Sequence, residues 1–256
     1  STGGALLAND PHLAASVPST FLQMRLQCAE VSEECPFDVG GYSFSGMPGI
    51  IIGHNAHIGW GLTVPYIDSQ DLVVEQISEG KARRAKGSEP VRSHVETLRS
   101  SSGATKDITI RRTSNGPLIS DAGQVKQVRD LLGSGDGHAV ALRWAALEPS
   151  QSIQAIFDLN RARNWNEFRD AARELRSPSQ NLMYADVEGN IGYQLPGAVP
   201  RREGRSGMKP VEGWGKDAAW NGYEAFDDLP RVFNPPGGYV VAANQQITDD
   251  PDFVQA

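Results

Sequence analysis

The sequence predicts an α+β layered sandwich of antiparallel sheets, on three observations. Residues 72–77 and 105–112 alternate apolar and polar side chains, as half-buried antiparallel strands do. Two stretches with helical periodicity, starting near Ser150 and Asn164, stand side by side in the second half of the chain. Strand patterns precede this helix pair and follow it, an order that disfavours alternating βαβ units.

The elements justify themselves in chain order. Residues 5–8 and 50–53 are short apolar runs bounded by glycine and proline, the mark of buried strands. Between the two alternating strands, residues 78–104 are charged and glycine-punctuated, which predicts inserted, exposed hairpins. Residues 139–145 form another strand pattern. The first helix has Ser150 in capping position and apolar residues at 153, 156, 157 and 159. The second has Asn164 as N-cap and Glu167 at the capping-box position. Residues 181–187 and 190–193 flank Glu188-Gly189 as a hairpin, with Glu where Asn or Asp is favoured. After an irregular, Pro/Gly-rich stretch over 196–237, residues 238–243 read as a last buried strand. No linker composition and no repeat period divides the chain, so 1–256 reads as one domain.

Composition narrows the function. The chain has 256 residues, of which 39% are hydrophobic and 21% charged, enough for a sizeable globular core. A net charge of −7 argues against an electrostatic nucleic-acid partner. No apolar run is long enough to span a membrane, and the first residues lack the pattern of a signal peptide. Cys28 and Cys35, seven residues apart in an acidic loop, suit a loop-closing disulfide better than a zinc site. Free thiols are the open alternative; a disulfide would point to an oxidising compartment, hence a periplasmic or secreted location.

Several residues could carry chemistry. His54 and His57 are spaced as metal pairs on helices are, but their glycine-flanked setting is a turn and a strand. No phosphate-binding loop, dinucleotide fingerprint, nucleophile elbow or zinc-hydrolase motif is present, and no organic cofactor is expected. Asp68 and Asp71 follow a strand and could grip a hard cation together with backbone oxygens; equally, they could sit in a solvated turn with local hydrogen bonds. Asn244 ends the apolar run 239–243, where an amide N–H facing a cleft is placed to stabilise an oxyanion; a strand-ending asparagine can also be a simple turn former.

A set of phrases then occurs in a telling order: Leu6-Leu-Ala-Asn-Asp-Pro-His-Leu13, Pro48-Gly-Ile-Ile-Ile-Gly-His-Asn55, Ile58-Gly-Trp-Gly61, Asn115-Gly-Pro117, Leu159-Asn-Arg-Ala-Arg-Asn-Trp165, Tyr184-Ala-Asp-Val-Glu-Gly-Asn-Ile-Gly-Tyr193 and Asn234-Pro-Pro-Gly-Gly-Tyr-Val-Val-Ala-Ala-Asn244. Together they resemble the front half of the β chain of the penicillin acylase family, within the N-terminal nucleophile hydrolases. The resemblance runs from Leu6 to Gln246. It implies a four-layer α/β/β/α sandwich of antiparallel sheets, incomplete in this stretch of chain, and an amidohydrolase made by autoproteolysis of a precursor into α and β chains.

In that family the β chain's N-terminal serine attacks an acyl amide, such as a β-lactam side chain or an acyl-homoserine lactone, and its own α-amine is the base. Such an amine titrates at about 7.7–8.0, so it needs little tuning. By position, Asn244 matches the oxyanion asparagine, and Val64 matches the residue whose backbone N–H is the second donor. His12 matches a position that orients the serine and its amine. Asp68 and Asp71 match calcium ligands of some members, with Pro200 offering a carbonyl and an acid among Asp249, Asp250 and Asp252 completing the set. Phe21, Met24, Phe37 and Tyr42 are candidates for the acyl pocket, with core packing as their ordinary role. Ser1-Thr-Gly-Gly4 aligns with the turn after the nucleophile's strand, so Ser1 is read as a turn residue and the nucleophile is expected upstream. The implied partners are the α chain and a small acyl amide. A non-catalytic binding or structural module of the same fold is the alternative.

Overall fold

A computed structural model describes residues 3–122, 137–202 and 207–248. Ser1 and the acids at 249, 250 and 252 lie outside these described residues, so the expectations placed on them have no structural counterpart. In chain order the strands are β1 (Phe21–Gln27), β2 (Asp38–Phe44), β3 (Ile52–His54), β4 (Ile58–Thr63), β5 (Gln70–Ser78), β6 (Lys81–Arg83), β7 (Ser88–Pro90) and β8 (Arg92–Arg99). They continue with β9 (Thr105–Thr113), β10 (Gly116–Pro117), β11 (His138–Trp144), β12 (Asn181–Asp186), β13 (Ile191–Gln194), β14 (Val211–Glu212) and β15 (Arg231–Phe233). Two helices, α1 (Ser152–Arg161) and α2 (Trp165–Glu174), precede β12. Among the described residues, no helix is long and apolar enough to cross a membrane.

Where the sequence reads as one domain, the chain packs as two compact units: residues 1–67, 149–198 and 224–255, and residues 68–148 with 199–223. The chain enters and leaves the second unit without any Gly/Ser-rich linker, which is why composition gave no sign of it.

The first unit is built on a seven-stranded sheet of order β1-β2-β3-β4-β12-β13-β15, antiparallel throughout. Trp60, Leu182 and Tyr184 from the sheet, with Ile50 just before β3, pack with Ile156, Leu159, Phe168 and Ala171 from the helix pair to form its core. Trp165 lies against β13, where a Cβ on Gly192 would come within 2.5 Å of its ring, so only glycine fits there. The ring stacks on Phe168 and Phe233, with centroids 5.3 and 5.0 Å away.

Several element ends differ from expectation for identifiable reasons. Residues 50–53 read as one strand, but β3 starts at Ile52. The Asn160 side chain takes the place of a strand partner for Ile50, accepting from its N–H at 2.8 Å and donating to its carbonyl at 2.7 Å. Helix α1 begins at Ser152 with no side-chain cap, and Ile153 is exposed rather than core. The hydroxyl of Ser152 instead accepts from the N–H groups of Arg176 and Ser177. Asn164 caps α2 as expected, accepting from the Glu167 N–H at 3.0 Å, while the Glu167 carboxylate reaches back one residue further, to the Arg163 N–H. The β12–β13 connection is a wider turn, in which Asp186 accepts from the N–H groups of Glu188 and Asn190. The runs 5–8 and 238–243, expected to be buried strands, are in no strand, and Leu6, Tyr239 and Val241 are largely exposed. An apolar pattern tells that a segment needs a neighbour, not that these residues supply one. Cys28 and Cys35 are joined as a disulfide.

Asp227, in a short turn after residue 225, accepts hydrogen bonds from Arg169 and Arg173, which hold its carboxyl down at about 2. A pKa below the unfolded value of about 3.9 means that its contribution to stability is complete above that value and lost as pH falls through about 2. Titration of the Asp227 carboxyl by NMR checks this, and an ordinary carboxylate pKa there would remove the claim.

In the second unit β5 is central. It pairs antiparallel with β11 and β6 and parallel with β14, while β8, β9 and β10 form a separate three-stranded sheet. The expected exposed insert is β6 to β8: β8 is exposed along its whole length, although Ala82 in β6 is fully buried. Beneath it, the Glu75 carboxylate is wholly buried and is met by Arg84 at 2.6 Å, Thr113 at 2.6 Å and Asn115 at 3.0 Å.

Candidate active site

Strand β4 ends at Thr63, and its last two residues and Val64 just after it are held by three asparagines from distant parts of the chain. Asn9 works first. Its amide oxygen accepts from the Leu62 N–H at 2.8 Å and its Nδ2 donates to the Leu62 carbonyl at 3.0 Å. The neighbouring β3 pairs only with Gly59 and Trp60 of β4, so Leu62 lies beyond it and the Asn9 side chain takes the strand's place. Gly61 is tight against it: a Cβ there would come within 2.9 Å of Asn9 Oδ1.

The second is Asn181, at the start of β12 and almost wholly buried. Its Nδ2 donates to Thr63 Oγ1 at 3.0 Å and lies 3.4 Å from the Val64 carbonyl. Its Oδ1 accepts from the Tyr193 hydroxyl at 2.7 Å, and burial pushes that phenol's pKa up, keeping it a donor.

The third is Asn244, whose Nδ2 donates to the Val64 carbonyl at 2.6 Å. Its backbone stands at φ +58°, in the left-handed region that asparagine tolerates better than most residues. The two oxyanion residues expected from sequence are thus brought into direct contact, although 180 residues separate them. With one N–H turned to Val64, the Asn244 amide has a second N–H to offer a ligand.

His12 does not join them. Its Nε2 sits 3.5 Å from Asp10 Oδ2, with both side chains exposed. Nor do His54 and His57 form a metal pair: Asn55 between them accepts from the N–H groups of His57 and Ile58, making a turn.

A cleft of about 860 Å³ opens on the same unit, with Leu7, Asn9, Phe21, Met24, Tyr42 and Trp60 in its lining. Phe21 and Tyr42 meet edge to face there, whereas Phe37 packs edge-on against Phe157 of α1. Three of the four acyl-pocket candidates therefore line the cleft, and Phe37 belongs to the core. A second cleft, of about 570 Å³, lies between residues 3–8 and 238–240, over β12 and β13.

Asp68, Asp71 and Pro200 belong to the other unit, and the acids are neither solvated nor arranged around an empty centre. Both side chains are buried, on either side of the fully buried guanidinium of Arg202. Arg202 donates through Nε to Asp71 and through Nη2 to Asp68, each at 3.1 Å, and through Nη1 to the Asp68 carbonyl at 3.0 Å. Trp220 Nε1 donates to Asp71 Oδ2. Burial pushes the Asp68 carboxyl up, against the pull of Arg202. Pro200 forms an isolated bridge with Tyr223. A calcium ion takes six to eight oxygen ligands, and among the described residues no three acidic, histidine or cysteine side chains are grouped so that they could hold a metal ion. These residues, as placed, fit a guanidinium and not a calcium ion.

Asn9, Asn181 and Arg202 went unnoticed in the sequence. Asn9 was in view only as part of a phrase, and the other two carry no local signal.

The sequence pattern of the penicillin amidase family matches residues 1–255. Over 250 residues the chain is 31% identical to the acyl-homoserine lactone acylase QuiP of Pseudomonas aeruginosa, covering 96% of this chain and 29% of that protein. It is 31% identical over 259 residues to the penicillin acylase 2 proenzyme of a Pseudomonas species, covering 99% of this chain and 31% of that one. A thermostable penicillin G acylase from Alcaligenes faecalis superposes with a TM-score of 0.79 at 28% identity, covering 95% of this chain and 42% of that structure. The chain therefore spans less than a third of the length of those two relatives. By fold and sequence pattern, the chain belongs to the penicillin amidase family, on the N-terminal nucleophile hydrolase fold.

Proposed function

We propose that this chain carries the oxyanion-stabilising part of an acyl-amide hydrolase whose nucleophile is an N-terminal serine upstream of Ser1. The contact between the Asn244 amide and the Val64 carbonyl is the observation that carries this reading. It places a side-chain donor beside the backbone of the second expected donor, on a strand end pinned by Asn9 and Asn181.

The serine hydroxyl attacks the amide carbon while its α-amine takes the proton. The carbonyl oxygen, now an oxyanion, accepts from the free Asn244 N–H and the Val64 N–H. Collapse of the intermediate breaks the C–N bond, the amine leaves with the proton, and an acyl ester remains. Water, deprotonated by the same α-amine, attacks this ester and releases the acid.

The acyl group is assigned to the cleft lined by Leu7, Phe21, Met24 and Tyr42. β-Lactam side-chain amides and acyl-homoserine lactones are the proposed substrates, on the strength of the relatives' names. An α chain from the same precursor is the proposed partner. The Cys28–Cys35 disulfide supports a periplasmic or secreted location.

The test uses the full-length gene product. The expected result is self-cleavage exposing an N-terminal Ser, Thr or Cys, read by mass spectrometry, with acid released from a penicillin or an acyl-homoserine lactone. An uncleaved protein that binds either compound without releasing acid would replace this reading with that of a binding module.

A further inference from the structure

We propose that Arg202 is the resident cation of the Asp68–Asp71 pair, so that this part of the fold assembles without calcium. Two buried carboxylates so close in sequence and space repel each other and require a positive charge between them. The guanidinium supplies that charge from within the chain. Its planar fork engages both acids and the Asp68 carbonyl at once, with no exposure to solvent. Its carbon lies 5.5 Å from the centre of the Trp220 ring, and the same indole donates to Asp71, so the cation is held from its face as well as from its edge. On the far side, Gly207 closes the cradle, because a Cβ there would overlap the Asp68 carboxylate oxygens. A divalent ion entering this space would meet an immobile positive charge; both Asp71 oxygens and Asp68 Oδ1 are already turned to Arg202, and only Asp68 Oδ2, buried, has no hydrogen-bond partner.

The proposal is independent of the catalytic reading, since it concerns folding and metal content only.

The experiment compares the full-length gene product with its Arg202→Met, Arg202→Lys and Asp68→Asn variants, by metal content after purification and by thermal unfolding with and without a calcium chelator. For the unsubstituted protein, the chelator is expected to leave Tm unchanged, and Asp68→Asn to leave calcium content unchanged. Arg202→Met, which keeps the apolar stem and removes the charge, is expected to lower Tm by on the order of 10 °C. Arg202→Lys restores the charge without the fork and is expected to fall between the two, which keeps the test readable if Arg202→Met does not fold. Loss of a bound calcium ion on Asp68→Asn, or a fall in the unsubstituted protein's Tm on chelation that Asp68→Asn abolishes, would overturn the proposal. So would an Arg202→Met protein as stable as the original.

Discussion

Asn244→Ala in the full-length gene product is expected to lower kcat for acyl-amide hydrolysis about 10²–10³-fold, the usual cost of removing one oxyanion donor. KM is expected to stay nearly constant, because the bond concerned forms fully only as negative charge develops on the substrate oxygen. Asn244 also grips the Val64 carbonyl, so the substitution removes a donor and loosens its neighbour together. Asn181→Ala separates the two effects. It removes a grip on Thr63 and Val64 without removing a donor, and a smaller fall in kcat is expected. Steady-state kinetics on the processed enzyme decide the matter. Full activity in a correctly processed Asn244→Ala protein would sink the oxyanion assignment.

The second large effect concerns stability. Arg84→Ala is expected to destabilise the fold by about 3–5 kcal/mol, the range for stripping the partner from a buried charge. Glu75 is fully buried, and Arg84 meets both of its carboxylate oxygens while also reaching Glu89 at 2.6 Å. Without the guanidinium, two carboxylates lose their counter-charge, and one of them has no route to water. Adding Glu75→Gln should recover much of the loss, because Thr113 and Asn115 donate to Glu75 Oε1, and a glutamine amide oxygen accepts from both. Urea denaturation of the four proteins forms a double-mutant cycle. Equal destabilisation by Arg84→Ala with and without Glu75→Gln would show that the charge pair is not what matters.

The fold was legible where local pattern decides structure. The alternation at 72–77 and 105–112 became β5 and β9, and Asn164 caps α2 through the bond its side chain was expected to make. Reading failed where a segment's partner lies far along the chain. Ile50 leaves the strand pattern because Asn160, 110 residues on, satisfies its backbone. Residues 5–8 and 238–243 have the composition of buried strands, yet burial depends on neighbours that their own residues cannot specify. The candidate site divides in the same way. Asn244 and Val64, singled out by position through the resemblance, do lie in contact, whereas Arg202 stands 131 residues from Asp71 and looks like any other arginine in a charged stretch. His12 was carried over by position alone, and its side chain turns to Asp10 instead.

Asn9 has a consequence for the length of the chain around it. Because its side chain stands in for a strand at Leu62, it locks the register between the N-terminal segment and β4, as a pin locks a ruler to a scale. Every residue before it is placed by counting back from that pin. One residue inserted between Gly3 and Asn9 would slide whatever precedes it by about 3.3 Å relative to Val64. A reaction that depends on an upstream hydroxyl meeting Asn244 would feel such a slip, while the core would not. The spacing within this short run, more than the identity of its residues, is then what the site requires.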